Sequence, residues 1–255
     1  MKKDLIIITG AGQGIGKNLA LNIDEKYDLF LISKTNNCKH VADLIKKKNK
    51  SLKRKIDYKI LNFEKKIDFK KILKKNKILK YKNIHTILCA AMVEDNINSY
   101  LDEKNWIKLF RVNFLANINL INSIYNLKKK RDKLNKIIIF SGGGATNSFK
   151  EFPIYSVTKT AIVRMVENYS EIFSKKKISI FAVAPGAVKT KMLKKVLKVT
   201  KVGTKSKMKD VIKFINFSLK NNTSIFNGRL INIKDNINKI SKNKNPNYLK
   251  LRRVE

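Results

Sequence analysis

An α/β fold, a doubly wound seven-stranded parallel sheet with helices on both faces, is what this sequence predicts. Short, continuously apolar runs rich in Ile recur from end to end, as strands buried on both faces do. Longer amphipathic stretches separate them, the alternation expected of parallel strands joined by crossover helices. No stretch rich in Pro, Gly or Ser divides the 255 residues, so a single domain over 1–255 is expected.

Taken in order, Leu5-Ile6-Ile7-Ile8 is the first strand, followed by a glycine-rich turn and a helix through about Lys26. Leu29-Phe30-Leu31-Ile32 is the second, with a basic helix over 39–48. Residues 56–61 make the third, and a Lys-rich helix carries Phe69, Ile72 and Leu73. The fourth, 84–88, precedes a long helix around Trp106, Leu109, Phe110 and Leu115. Ile137-Ile138-Ile139-Phe140, 178–183 and Leu230-Ile231-Asn232-Ile233 complete the seven. The tail, 236–255, is polar and basic and is expected to wrap the surface or an interface.

Composition excludes several classes. The net charge is +38, yet 50 of the 57 basic residues are Lys, and with 34 Ile and 29 Asn these three types make up about 44% of the chain. A- and T-rich codons specify all three. Selection for nucleic-acid contacts would instead enrich Arg, the bidentate reader of phosphate and guanine. Even the segment 39–82, with 18 Lys or Arg against four acids, interleaves apolar residues as solvated helix faces do. No nucleic-acid partner is expected. Cys38 and Cys89 form no close pair and His40 lies far from His85, which argues against a disulfide framework and a metal site. No apolar run approaches the roughly 18 residues of a membrane span, and the N-terminal run is too short for a signal peptide. A cytoplasmic protein is expected.

Two motifs carry chemistry. The first strand runs into Thr9-Gly10-Ala11-Gly12-Gln13-Gly14-Ile15-Gly16-Lys17. Glycines there let the backbone turn tightly and approach a pyrophosphate at the next helix N-terminus. The spacing G-x-G-x-x-G fails at Ile15, whereas T-G-x-x-x-G-x-G fits through Thr9, Gly10, Gly14 and Gly16. Placement directly after a strand favours the dinucleotide reading over a turn that only packs a helix. Further on, Tyr155-Ser156-Val157-Thr158-Lys159 sets a phenol and an ammonium on one helix face. The ammonium favours the phenolate, drawing a group of pKa about 10 towards working pH. That suits an acid protonating a carbonyl oxygen whose carbon receives hydride.

With these motifs in one order, the chain resembles the short-chain dehydrogenase/reductase family, in its single-domain branch, over essentially its whole length. The resemblance also rests on Asn113 in Arg111-Val112-Asn113-Phe114, Ser141 at the end of the fifth strand, and Pro185-Gly186-Ala187-Val188-Lys189-Thr190 after the sixth. It implies a Rossmann fold and an NAD(P)-dependent oxidoreductase acting on a carbonyl or secondary alcohol. Tyr155 would be the catalytic acid or base, and Lys159 would lower its pKa and hold the nicotinamide ribose. Ser141 would hydrogen-bond the substrate carbonyl, and Asn113 would organise a water relaying protons to Lys159. The cofactor would lie on Gly10, Gly12, Gln13, Gly14, Ile15 and Gly16, with Asn62 and Phe63 beside the adenine and the backbone at Ala90 beside the adenosine. Val188, through its backbone, and Thr190 would hold the nicotinamide carboxamide. A homodimer or homotetramer is implied, built on the long helix near 106–126 and the helix after Tyr155. No metal is.

The pattern departs from the family in two places. Cys89-Ala90-Ala91-Met92 stands where Asn-Asn-Ala-Gly is usual, so two supporting amides are lost while backbone contacts to adenosine survive. Ser141 precedes Tyr155 by fourteen residues rather than the usual thirteen, a position held by Gly142. The flexible run Gly142-Gly143-Gly144 can absorb one residue, so Ser141 is the expected family serine. The stretch Ser141 to Thr146, S-G-G-G-A-T, and the ending Leu251-Arg252-Arg253-Val254 resemble a subgroup of oxidoreductases associated with carbohydrate or surface-polysaccharide pathways. A sugar derivative is therefore one implied substrate. A 3-oxoacyl thioester reductase is the alternative enzyme, and a non-catalytic dinucleotide-binding module the alternative class. The second strand ends Ile32-Ser33-Lys34-Thr35, without an acid for the NAD 2′-hydroxyl. Lys34 stands where NADP-dependent relatives carry a basic residue, so NADP(H) is expected over NAD(H).

Overall fold

A computed structural model describes residues 3–48, 54–128, 133–203, 205–243, 245 and 247–251. Seven strands form one parallel sheet: β1 (Asp4–Thr9), β2 (Tyr27–Ser33), β3 (Ile56–Ile60), β4 (Ile84–Leu88), β5 (Asn135–Phe140), β6 (Ile178–Ala184) and, last in the chain, β9 (Leu230–Asn232). Two-residue strands β7 (Ala187–Val188) and β8 (Lys205–Ser206) pair with each other apart from it. The order across the sheet is β3-β2-β1-β4-β5-β6-β9, so the direction of winding reverses between β1 and β4. Ligand crevices of such sheets open at the carboxyl ends of the strands flanking that reversal.

The period of two along a strand sorts the core into two layers. On β1, Ile6 and Ile8 face helices α1 (Gly14–Asn22), α2 (Asn37–Lys48) and α8 (Met208–Lys220), meeting Leu19, Val41 and Ile215. Leu5 and Ile7 face the opposite layer, meeting Leu73 of α3 (Phe69–Lys75), Leu120 of α5 (Ala116–Tyr125) and Val163 of α6 (Pro153–Ile172). Each of these strand side chains is essentially buried, which the continuous apolar runs require.

The structure departs from the sequence reading at several elements. The first helix stops at Asn22, because Asn22 donates to the Asn18 carbonyl and Ile23 turns extended. The long helix near Trp106 is interrupted: α4 (Glu103–Phe110) passes through one π-helical stretch, Arg111–Leu115, before α5. Helices α7 (Lys191–Val196), α8 and α9 (Ile237–Lys242) occupy stretches that the sequence leaves unassigned. Helix α8 is closed by an internal cation, the Lys136 ammonium donating to the carbonyls of Ser218, Leu219 and Asn221. In the tail Ile240 is buried, and the Leu249 carbonyl accepts from Leu230 N–H of β9. Leu251 is pinned between Arg164 and Glu167 of α6, while Arg252, Arg253 and Val254 lie outside the described residues. Among the described residues, no helix is long and apolar enough to cross a membrane, and no cluster of three metal-ligating side chains occurs.

His85 on β4 ties this core to pH. Its Nδ1 accepts from the Lys136 backbone N–H at 3.1 Å, and burial pushes its pKa from 6.5 down to about 4. Between those values the unfolded chain binds more protons than the folded one, so stability must fall as pH drops from about 6.5 to about 4. Replacing His85 with Gln, which keeps an acceptor, should flatten that loss by about 2–3 kcal/mol. Denaturant melts of both proteins at pH 7 and pH 4.5 read the difference; identical losses would remove His85 from the acid response.

Candidate active site

The carboxyl ends of β1 and β4 part over a cleft of about 1080 Å³, and the glycine turn forms its floor. Gly10 has φ +67°, and a Cβ there would stand 2.9 Å from the Ala90 nitrogen. One at Gly16 would stand 2.4 Å from the Gly10 carbonyl oxygen, so the first turn of α1 is packed directly on β1. Thr9 at the end of β1 accepts from the Ala90 N–H through Oγ1 at 3.1 Å. The strap Cys89-Ala90-Ala91-Met92 is thus held by its backbone, although the family's amides are missing. Gly10, Gly12, Gln13, Gly14, Ile15, Gly16 and Ala90 all line the cleft. The first-turn amides of α1 have no intrahelical acceptors. A backbone concavity of that kind, with its N–H groups and no side chains intervening, fits a pyrophosphate.

Tyr155 and Lys159, one turn apart on α6, face the same cleft. Their electrostatics differ from the sequence expectation. The Lys159 ammonium lies 5.3 Å from the centre of the Tyr155 ring and donates to the Phe140 carbonyl at 2.9 Å, rather than to the phenol. Burial first, and then the Glu94 carboxylate, pushes Tyr155 up to about 12. Burial pushes Lys159 down to about 8. In this arrangement Tyr155 is therefore held as the protonated acid.

Ser141 requires a correction. Its hydroxyl donates to the Lys159 backbone carbonyl at 3.1 Å, and it is Gly142 whose added Cβ would lie 3.5 Å from the Tyr155 hydroxyl. Ser141 still belongs to the ladder, its N–H bonded to Val183, so its side chain points to the α6 side and the next residue to the cleft. A one-residue slip in extended chain reverses the face, which a flexible run cannot absorb. Position 142, thirteen before Tyr155, faces the phenol and carries no hydroxyl.

The Asn113 side chain is fully engaged. It sits in the π-helical stretch, fully buried, where it accepts from Met92 N–H at 2.8 Å and donates to the Met92 carbonyl at 2.9 Å and to Thr158 Oγ1 at 3.1 Å. Both amide hydrogens are spent on bracing the strap against α6, and neither is directed at Lys159. Thr190 is the N-cap of α7, accepting from Leu193 N–H at 3.2 Å. Its own hydroxyl hydrogen is left to donate towards the cleft, which it lines with Val188.

At the other end of the cleft the Lys34 ammonium pairs with Glu64 at 2.5 Å. Asn62 accepts from Glu64 N–H at 3.0 Å, shaping the turn after β3. The Phe63 side chain is buried against Phe69, ring centres 5.9 Å apart, so it can meet a ligand only along its edge or backbone.

Residues 4–200 match the family model described as short chain dehydrogenase. The chain belongs to the short-chain dehydrogenase family. Among curated relatives, the 3-oxoacyl-(acyl-carrier-protein) reductase of Thermotoga maritima is 24% identical over 245 residues, covering 89% of this chain and 94% of the relative. The benzil reductase of Saccharomyces cerevisiae is 24% identical over 198 residues, covering 74% and 73%. In fold, a short chain dehydrogenase from Salmonella enterica serovar Typhi superposes with TM-score 0.79 at 16% identity, covering 92% of this chain and 97% of that one. One from Escherichia coli CFT073, complexed with NADPH, does so with TM-score 0.79 at 16% identity, covering 92% and 98%. The Rossmann architecture and an oxidoreductase activity follow from family membership.

Two acids of this short-chain dehydrogenase's cleft region escaped the sequence reading, Glu64 and Glu94. Neither belongs to a motif, and only the folded chain brings them to Lys34 and Tyr155. For Ser141 a signal did exist, since the thirteen-residue spacing already indicated Gly142.

The assignment at 141 and 142 is testable by paired substitution. Ser141→Ala removes a buried hydrogen bond and should cost about 1 kcal/mol of stability. Gly142→Ala, at an extended φ of 173°, should leave the fold intact or stabilise it by about 0.4–1 kcal/mol. Its methyl would stand in ordinary van der Waals contact with the phenol oxygen, 3.5 Å away, and should leave turnover near wild type, whereas Gly142→Ser, which sets a hydroxyl beside the phenol, should raise it. Thermal melts and steady-state rates separate the variants; a Gly142→Ser enzyme no faster than Gly142→Ala would mean that the substrate carbonyl does not sit there.

Proposed function

We propose that this oxidoreductase interconverts a carbonyl compound and its secondary alcohol with NADP(H), using Tyr155 as the proton donor. The carrying observation is the half-buried Tyr155 beside the buried Lys159, both opening into the cleft whose floor is the glycine turn. Bound nicotinamide would supply hydride to the carbonyl carbon. Tyr155 would give its phenolic proton to the carbonyl oxygen, completing the alcohol; the reverse reaction returns that proton. Lys159, kept in place by Phe140 and by the Ser141 bond to its carbonyl, would hold the nicotinamide ribose. Val188 and Thr190 would hold the carboxamide. Asn113 would act by fixing the strap that carries Ala90 beside the adenosine. With Tyr155, Lys159 and Asn113 all in place, a binding module without catalysis is the weaker reading.

The wall beside Tyr155 bears on the substrate. Phe149, Met192, Val196 and Val202 pack there, a surface suited to an acyl or aromatic flank. This favours reduction of a 3-oxoacyl thioester as the second reading, in keeping with the relatives' names. A sugar derivative would instead rely on Thr146, Asn147 and Ser148, which also line the cleft. Consumption of NADPH with acetoacetyl thioesters, benzil and keto-sugars, compared side by side, separates the classes.

Tyr155→Phe should bind NADPH nearly as wild type while turnover falls by about 10² to 10⁴. Fluorescence titration and steady-state rates check both halves, and unchanged turnover would remove Tyr155 from the mechanism. At the ribose end, Lys34 would meet the NADP 2′-phosphate in exchange for Glu64. Lys34→Asp should lower the NADP-to-NAD ratio of kcat/KM about tenfold, a change of ~1.4 kcal/mol. A ratio that does not move would end the NADP assignment. Helix α4 and the π-helical stretch after it expose Ile107 and Leu115 beside the Trp106–Phe110–Phe114 ladder, which supports self-association through this face. Light scattering at micromolar concentration should show a dimer or tetramer; a monomer would refute it.

A further inference from the structure

Helix α6, which carries Tyr155, starts without a cap of its own. Phe152 is its N-cap residue and has no side-chain hydrogen bond to give, and Pro153 follows. The first-turn amides are served from elsewhere: Glu94, on the loop after β4, accepts from the Tyr155 N–H through Oε1 at 2.9 Å. Glu94 is 1% exposed, and its Oε2 meets no hydrogen-bond partner among the described residues. Its chain neighbour Val93 forms one buried cluster with Phe152, the residue before α6, and Val196, and Tyr155 packs against that cluster.

A cap alone does not account for this group. Any short polar side chain at the α6 N-cap would satisfy the same amide without burying a carboxylate, whose desolvation is costly. The helix N-terminus offsets part of that cost. We propose that Glu94 is a positioning residue for Tyr155: it fixes the first turn of α6 through the Tyr155 N–H and sets the charge that the phenol faces from inside the protein.

The remaining charges around Tyr155 make the role specific. From α6, the Lys159 ammonium lies over the ring and favours the phenolate. From the end of β4 comes the Cys89 thiol, which burial pushes up and so keeps uncharged. Next to Glu94 stands Asp95, already matched by Lys195 of α7 at 2.6 Å. Glu94 is therefore the unmatched negative charge opposing Lys159, and after burial it is the second cause raising Tyr155. The balance keeps the phenol protonated, the form that can give a proton to a carbonyl oxygen.

The inference builds on Tyr155 as the proton donor, but its test need not. Protein labelled with 3-fluorotyrosine gives eight tyrosine resonances by ¹⁹F NMR, and Tyr155→Phe assigns the one of interest. Fluorination also lowers the phenol titration into a range where the fold can be watched alongside. Glu94→Gln keeps the acceptor for the Tyr155 N–H and removes the charge. The Tyr155 midpoint should fall by about one unit while the melting temperature is retained. Glu94→Asp, which keeps the charge, should leave the midpoint near wild type. An unchanged midpoint in Glu94→Gln overturns the proposal and reduces Glu94 to a cap. Should Glu94→Gln not fold, Glu94→Ser, which also lacks the charge, is read in the same way, and an unchanged midpoint there overturns the proposal. Failure to find any reduced carbonyl would count against the reductase reading alone, because this measurement uses the free protein.

Discussion

The close passage of the first glycine turn over the strap that follows β4 is the constraint on which the rest of the site depends. Gly10 can lie against Ala90 only because it has no side chain, and Thr9 ties the two strand ends through the Ala90 N–H. From there the support runs outward without a gap. Met92 at the far end of the strap is braced on both backbone groups by Asn113, Asn113 reaches Thr158, and Thr158 donates to the Tyr155 carbonyl at 2.7 Å. The cofactor floor and the candidate acid are thereby fixed to one another through buried hydrogen bonds, the kind whose loss leaves unsatisfied partners in a dry interior. The π-helical stretch at Arg111–Leu115 belongs to this chain, since it sets Asn113 where it can span strap and helix.

Two buried lysines show how sparingly the fold uses its large positive charge. Lys136 spends its ammonium on the carbonyl end of α8, and burial pushes it down to about 8. Lys159 is pushed to the same range in the cleft. Most other lysines are exposed, and ion pairs such as Lys55 with Asp57 and Lys195 with Asp95 lie at the surface, where they contribute little and are screened by salt. The charge of +38 is thus a property of the solvated shell, while the site is governed by a few groups with restricted access to water.

Much of the fold was legible because its signals are local. Seven apolar runs became seven strands within a residue or two, since a strand buried on both faces admits little besides Ile, Leu, Val and Phe. Helix α8 was less legible: its apolar stripe of Val211, Phe214, Ile215 and Leu219 is broken by polar residues. The first helix was read too long because Asn22 looks like helix interior until its amide is seen closing the last turn.

By itself the sequence determined the strand set, the winding, the glycine turn and the spacing of Tyr155 and Lys159, because each depends on residues near one another in the chain. Tertiary structure alone decided where the Asn113 amide is spent, and that Glu64 and Glu94 stand against Lys34 and Tyr155. The physical reason is that side-chain direction and charge environment are set by partners tens of residues away. A change of one residue in register reverses a face, and a single buried carboxylate outweighs a surface of lysines that water has already screened.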